Sequence, residues 1–188
     1  MTAQVEKIVH DAEDRMKHAV EHLKHELGGY RTGRANPALL ERIHVDYYGT
    51  DTPLHQMANI SVPEPRVLAI QPWDRNMLQP IEKAILKSDL GINPSNDGTV
   101  IRLNLPQLTE ERRKDLIKQV HKRVEEGRVA IRNIRRDAVE HLRALEKQHK
   151  IGEDARHTYE EKVQKITKQY EELAEKAQTA KEAELMEV

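Results

Sequence analysis

Proline placement is the strongest constraint on this chain: all eight prolines fall between Pro37 and Pro106, and every long helical pattern lies outside that window. A proline ring removes a backbone donor and clashes with the preceding turn, so helix interiors exclude it. The chain therefore reads as a helical body interrupted by a domain of different make-up, entered and left through two neighbouring crossings.

Outside the window, three segments carry a seven-residue apolar rhythm. Val5, Val9, Ala12, Met16, Ala19 and Leu23 form the first. Val120, Val124, Gly127, Ile131, Ile134, Ala138 and Leu145 form the second, and Tyr159, Val163, Ile166, Tyr170, Leu173, Ala177 and Ala180 the third. Alternating steps of three and four place each set along one stripe of a helix. A lone helix with such a stripe is not stable in water, and the short turn from His149 to Gly152 makes the second and third antiparallel neighbours. Thr109 is a suitable N-cap for the second helix, followed by Glu110 and Glu111 at its positive end. The expected fold class is α+β: a long antiparallel three-helix bundle from residues 1–30 and 106–188, with a small β/α/β domain inserted at 31–105. With 1.5 Å of rise per residue, a helix of roughly 35 residues reaches about 50 Å. The composition suits such thin seams, with 37% apolar residues, 34% charged residues and no Phe.

In the insert, Ile43, Val45 and Tyr47 alternate with polar residues, and Val67, Ala69 and Gln71 do so less cleanly. Val100 to Leu105 is rich in β-formers. Asp74 to Leu90 reads as a helix with Pro80 in its first turn and Gly91 as its stop. Turns are expected at Tyr48-Gly49 and Asp97-Gly98. Trp73 is expected to anchor the small domain's core, as the usual burial of Trp suggests. The links to the bundle are Arg31, Thr32, Gly33 and Arg34 on one side and Asn104, Leu105 and Pro106 on the other, a paired crossing that can serve as a hinge.

Net charge is only −1, yet it is segregated. Residues 112–136 hold ten Lys/Arg against three Asp/Glu, whereas residues 153–187 hold six against ten. At about 100° per residue, Arg128, Arg132, Arg135, Arg136 and Arg143 share one sector beside the apolar seam. A guanidinium fork matches phosphate oxygens, so an A-form RNA backbone fits this stripe. A solvated face paired with the acidic third helix fits it as well, and the pattern alone leaves both readings open. No aromatic ladder accompanies the arginines, which argues against single-strand stacking.

Other chemistry finds little support. His18, His22 and His25 share a face of the first helix at metal-capable spacing but lack an evident carboxylate ligand, so no metal is expected. Gly28-Gly29 and Gly33 match no phosphate loop, and none of Ser61, Ser88 and Ser95 sits in a nucleophile elbow. No catalytic constellation emerges, and neither an enzyme nor a cofactor is expected. The absence of cysteine rules out disulfides and fits a reducing compartment. No apolar run approaches the roughly 18 residues of a membrane span, and the N-terminus lacks a secretory apolar segment. The expected location is the cytoplasm, without membrane contact.

Arg31-Thr32-Gly33-Arg34-Ala35-Asn36-Pro37, Tyr47-Tyr48-Gly49-Thr50, Glu82 to Pro94, Leu105 to Leu116, Arg128 to Ala138 and Lys181 to Met186 together resemble the bacterial ribosome recycling factors, in order and across essentially the whole chain. The resemblance implies a two-domain molecule, likened in size to tRNA, with a flexible hinge. Factors of that family act after peptide release and, with elongation factor G and its GTP hydrolysis, separate the ribosomal subunits. The resemblance further implies that Arg128, Arg132, Arg135 and Arg136 face large-subunit ribosomal RNA, and that the factor works as a monomer. Gly28-Gly29 departs from the helix-friendly residues expected there, since each glycine in a helix interior costs on the order of 1 kcal/mol. Two rival classes are a coiled-coil scaffold or adaptor without RNA binding, and a hydrolase or metal enzyme within 31–105 built on His44 or His55.

Overall fold

A computed structural model describes residues 2–187. The protein is α+β, with four α-helices and six strands in two antiparallel sheets among those residues. Two compact units arise, one from residues 1–30 and 110–188, the other from 31–109.

The first unit is built from α1 (Thr2–Gly28), α3 (Glu110–Lys147) and α4 (Glu153–Met186), each packed on the other two. Contacts fix their directions. Arg15 meets Asp137 and Leu23 packs at Gly127, so α1 and α3 run oppositely. Arg132 meets Glu171 and Arg143 meets Glu160, so α3 and α4 also do. Met16, Val20, Leu23 and Leu27 of α1 and Val120, Val124, Ile131 and Leu142 of α3 fill the seam. Gly127 lies where a Cβ would come 3.2 Å from a Leu23 methyl, a tight approach that would oblige the leucine to shift by a few tenths of an ångström. Chain reversal between α3 and α4 uses His149 in the left-handed region at φ 53, with Lys150 N–H donating to the Leu145 carbonyl at 2.9 Å. Such a bond closes the free carbonyls of a helix end.

The third stripe differs from expectation. Leu173 and Ala180 are exposed, and the buried positions of α4 are Val163, Thr167, Ala174, Lys181 and Leu185. The stripe is displaced by one residue because two polar side chains can occupy seam positions. Thr167 returns its hydroxyl proton to the Val163 carbonyl at 2.7 Å, and Lys181 buries its stem while its ammonium reaches Glu184 at 3.3 Å.

The second unit has more strands than its sequence suggests. β1 (His44–Tyr47) pairs with β2 (Thr50–Pro53), and β3 (Ala58–Glu64), β4 (Val67–Pro72), β5 (Pro94–Asn96) and β6 (Ile101–Asn104) form a sheet ordered β3-β4-β6-β5. Tyr48 and Gly49, at φ 47 and 85, make the two-residue turn of the first hairpin. Both central residues with positive φ match the twist of the flanking strands. Asp74 caps a short 3-10 turn, Arg75–Met77, through its bond from Asn76 N–H at 3.0 Å, and α2 (Leu78–Lys87) follows with Pro80 in its first turn.

The core of this unit gathers Leu40, Leu54, Leu68, Ile70, Ile81, Ile85, Ile101 and Leu103. On β4 Leu68 and Ile70 face the core, while Val67, Ala69 and Gln71 lie on the opposite face with Arg102 and Asn104, where Ala69 is buried and Gln71 exposed. Trp73 is not the core anchor: it is 71% exposed, and leucines and isoleucines close the core without it.

Candidate nucleic-acid interface

α3 buries one stripe and turns the residues beside it outward, so its arginines divide by angle around the helix. Those nearest the α4 side are engaged. Arg132 Nε donates to Glu171 Oε1 at 3.3 Å, and its Nη1 lies 3.7 Å from Glu125 Oε1. Arg135 Nη1 donates to Gln164 Oε1 at 3.2 Å, and Arg143 Nε to Glu160 Oε1 at 3.1 Å. Arg128 is held more loosely, 3.9 Å from Glu125. Arg136 points to solvent and has no hydrogen bond or ion pair among the described residues. Sequence periodicity therefore grouped five arginines of which the fold pairs four and leaves one, Arg136, free among the described residues.

Two further cations share the free side. Lys118 and Lys122 are exposed and unpaired among the described residues, and Val129, between them and Arg136, is 46% exposed. Steps of four and seven residues keep these positions close to one line along the helix, the signal by which the two lysines could have been found. An exposed row of this kind offers phosphates positive charge without first breaking an internal bond.

At the far end of α3 the arginines serve a different purpose. Arg156 lies 2.5 Å from Glu146 and 3.0 Å from Glu160, which also takes Arg143. Burial pushes the Glu160 carboxyl up, but hydrogen bonds from Arg156 and Arg143 more than reverse this and leave it below the ordinary range. This network ties the α3–α4 reversal. Arg123, on the opposite flank, is held protonated still more firmly by its hydrogen bonds with Tyr30, just beyond α1, and with Glu126 at 3.1 Å.

The crossing segments are anchored in the second unit. Arg31 Nη1 donates to the Leu90 carbonyl at 3.2 Å, Ala35 N–H to Pro65 at 2.7 Å and Leu105 N–H to Arg66 at 2.8 Å. Gly33 takes φ 80 beside Leu108, which other residues adopt only under strain. Asn104 closes β6 opposite Val67. Helix α1 ends at Gly28, with Gly29 and Tyr30 bonding back to Glu26 and Leu27.

Among the described residues no group of three or more His, Cys, Asp and Glu side chains is arranged to hold a metal ion. His18 Nδ1 sits 2.7 Å from the Asp14 carbonyl oxygen, and His22 sits 3.5 Å from Glu26. His44 lies 3.1 Å from Asp51, on an exposed hairpin. No helix among these residues is long and apolar enough to cross a membrane.

The profile of the family described as "Ribosome recycling factor" matches residues 23–186. The chain belongs to the ribosome recycling factor family. The ribosome-recycling factor of Syntrophomonas wolfei is 55% identical over 184 residues, covering 98% of this chain and all of the relative. That of Moorella thermoacetica is 57% identical over 181 residues, covering 96% and 98%. The solution structure of a ribosome recycling factor matches with a TM-score of 0.75 at 46% identity over 98% of each chain. A second similar structure is the T. thermophilus ribosome recycling factor, described together with E. coli elongation factor G on the E. coli post-termination complex. It has a TM-score of 0.63 at 47% identity, over 97% of this chain and 99% of its own. Membership assigns the chain to ribosome recycling at the termination stage of translation, and so to ribosome binding.

Proposed function

We propose that the chain binds the post-termination ribosome through α3 and, with elongation factor G, separates it into subunits for a new round of translation. The observation that carries this reading is Arg136, solvent-facing and unpaired among the described residues, on the same helix as Arg128, Arg132 and Arg135 in a family that works on ribosomes. These four side chains contact large-subunit ribosomal RNA through its phosphates, which fix position rather than read sequence. The factor acts as a monomer in the cytoplasm, holds no cofactor and catalyses nothing itself. GTP hydrolysis by the elongation factor supplies the work. The three long helices act as an antiparallel three-helix bundle, a strut, with the inserted β/α/β domain as the part the partner displaces. Arg31 to Arg34 form one strand of the hinge. Asn104, Leu105 and Pro106 form the other.

Pairing of Arg132 and Arg143 with acids of α4 favours a second reading, in which the arginines only fasten two helices of an adaptor. Co-sedimentation with ribosomes separates the two. Arg135→Ala or Arg132→Ala should remove a charge-assisted contact worth roughly 1.5–3 kcal/mol and weaken binding about tenfold or more. Melting should be nearly unchanged. Binding should fall as salt rises, with a shallower slope for each arginine removed, because fewer condensed cations are released. Lys176→Ala, on the acidic helix, should show neither effect. Wild-type affinity in the arginine variants, or equal loss in the control, would leave the adaptor reading standing.

A further inference from the structure

Arg132 stands between two carboxylates whose contribution to the fold is small. Glu171 reaches it across the α3–α4 seam at 3.3 Å and Glu125 from two turns back along α3 at 3.7 Å. The side chains are 51% exposed for Arg132, 57% for Glu125 and 32% for Glu171. Ion pairs this wet add little stability, since water and salt screen them. Ile131 and Ile134 already close the seam beneath. What the two acids do is occupy the guanidinium, each with one carboxylate oxygen in a place that a phosphate oxygen would take.

We propose that Glu125 and Glu171 are internal phosphate surrogates that attenuate the grip of Arg132 on the RNA backbone. The inference rests on the reading of α3 as the phosphate-contacting helix. On docking, Arg132 exchanges carboxylate oxygens for phosphate oxygens, so its contact still favours binding but by less than a free guanidinium would give. The guanidinium is already held in place, which lowers the entropy lost on binding, while the returning carboxylates speed release. Arg136 has no such competitor among the described residues, and Arg135 faces only the neutral amide of Gln164. One helix thus presents a full-strength cation beside a self-competed one. A factor that must leave the ribosome after every cycle gains turnover from that arrangement.

Substitution of the acids by their amides tests this, since Glu171→Gln keeps the shape and an oxygen for Arg132 Nε. Ribosome binding by co-sedimentation at fixed salt should tighten about two- to fivefold for Glu171→Gln and for Glu125→Gln, the range of an exposed ion pair. Glu172→Gln makes the same charge change one residue along, on an exposed position, and should leave affinity unaltered. In an Arg132→Ala background the gain from Glu171→Gln should vanish. Unchanged or weaker binding of both amide variants, while Arg132→Ala alone binds poorly, overturns the surrogate role and spares the RNA-binding reading. An equal gain from Glu172→Gln, or a gain that survives Arg132→Ala, reduces the effect to bulk charge and also overturns it. Wild-type affinity in Arg132→Ala alone removes the underlying reading, and the surrogate role with it. Melting curves of each variant exclude a folding loss as the source of weaker binding.

Discussion

Ile134 and His22 lie at opposite extremes of what a helical position can ask of a side chain. Ile134 is 6% exposed in the seam of α3, so Ile134→Ala should cost about 2–5 kcal/mol, through lost transfer energy and the cavity left behind. His22 is exposed and meets only Glu26 at 3.5 Å, so His22→Ala should shift the denaturant midpoint little. The larger loss at His22 would mean that the stripe is misplaced. At this scale the sequence was most informative along α3; along α1 it placed Val9 and Ala19, which are half-buried, in the stripe and missed the buried Val20 and Leu27. It misled at Trp73, where a residue type with a strong average for burial sits on the surface. It misled again at Thr167 and Lys181, whose burial depends on a local hydroxyl bond and a flexible stem that no periodicity records.

Among the elements, the long helices were legible because their signal repeats over thirty or more residues. Of the short strands, β1, β4 and β6 were legible from alternation and β-formers, and the other three were not. β2, β3 and β5 contain Asp51, Asn59, Pro63 and Asn96, residues poorly suited to strands, and they pair because the hairpin turns align them. The β5–β6 turn illustrates this. Asp97 accepts from Val100 N–H at 2.8 Å and Thr99 N–H at 3.0 Å, and takes Arg102 at 2.9 Å. Those bonds, the two backbone donors foremost, lower its carboxyl from 3.8 to about 2. A depressed folded-state pKa stabilises the turn above the unfolded value, and that contribution disappears as the pH falls from 3.8 to about 2. Asp97→Asn should flatten this part of the acid limb, and carboxyl shifts in NMR should place the Asp97 midpoint near 2. A midpoint near 4 would show that the turn is open in solution. The arginine stripe was half legible for a related reason: angle on a helix follows from spacing, but a partner on another helix does not.

For the whole molecule, the consequential question is how the two units move. The hinge proposed at Arg31–Arg34 and Asn104–Pro106 leads us to expect a broad range of inter-unit orientations in solution. NMR relaxation or paired fluorophores on the two units would report it, and one fixed orientation, free and ribosome-bound alike, would refute it. The resemblance visible in the sequence extends over the full chain, and family membership is its outcome. The open position of Trp73 has a practical side. It is the chain's only tryptophan, and its indole meets water while the protein is folded. Emission from the native state should already resemble that of the ring in solvent, so heating or urea will hardly move it, and helix ellipticity is the signal to follow instead. A large red shift on unfolding would mean that the ring is shielded in the native state. The same insensitivity makes the indole a clean reporter of contact: a shift to shorter wavelength at native conditions should mean that a partner has covered that corner of the second unit.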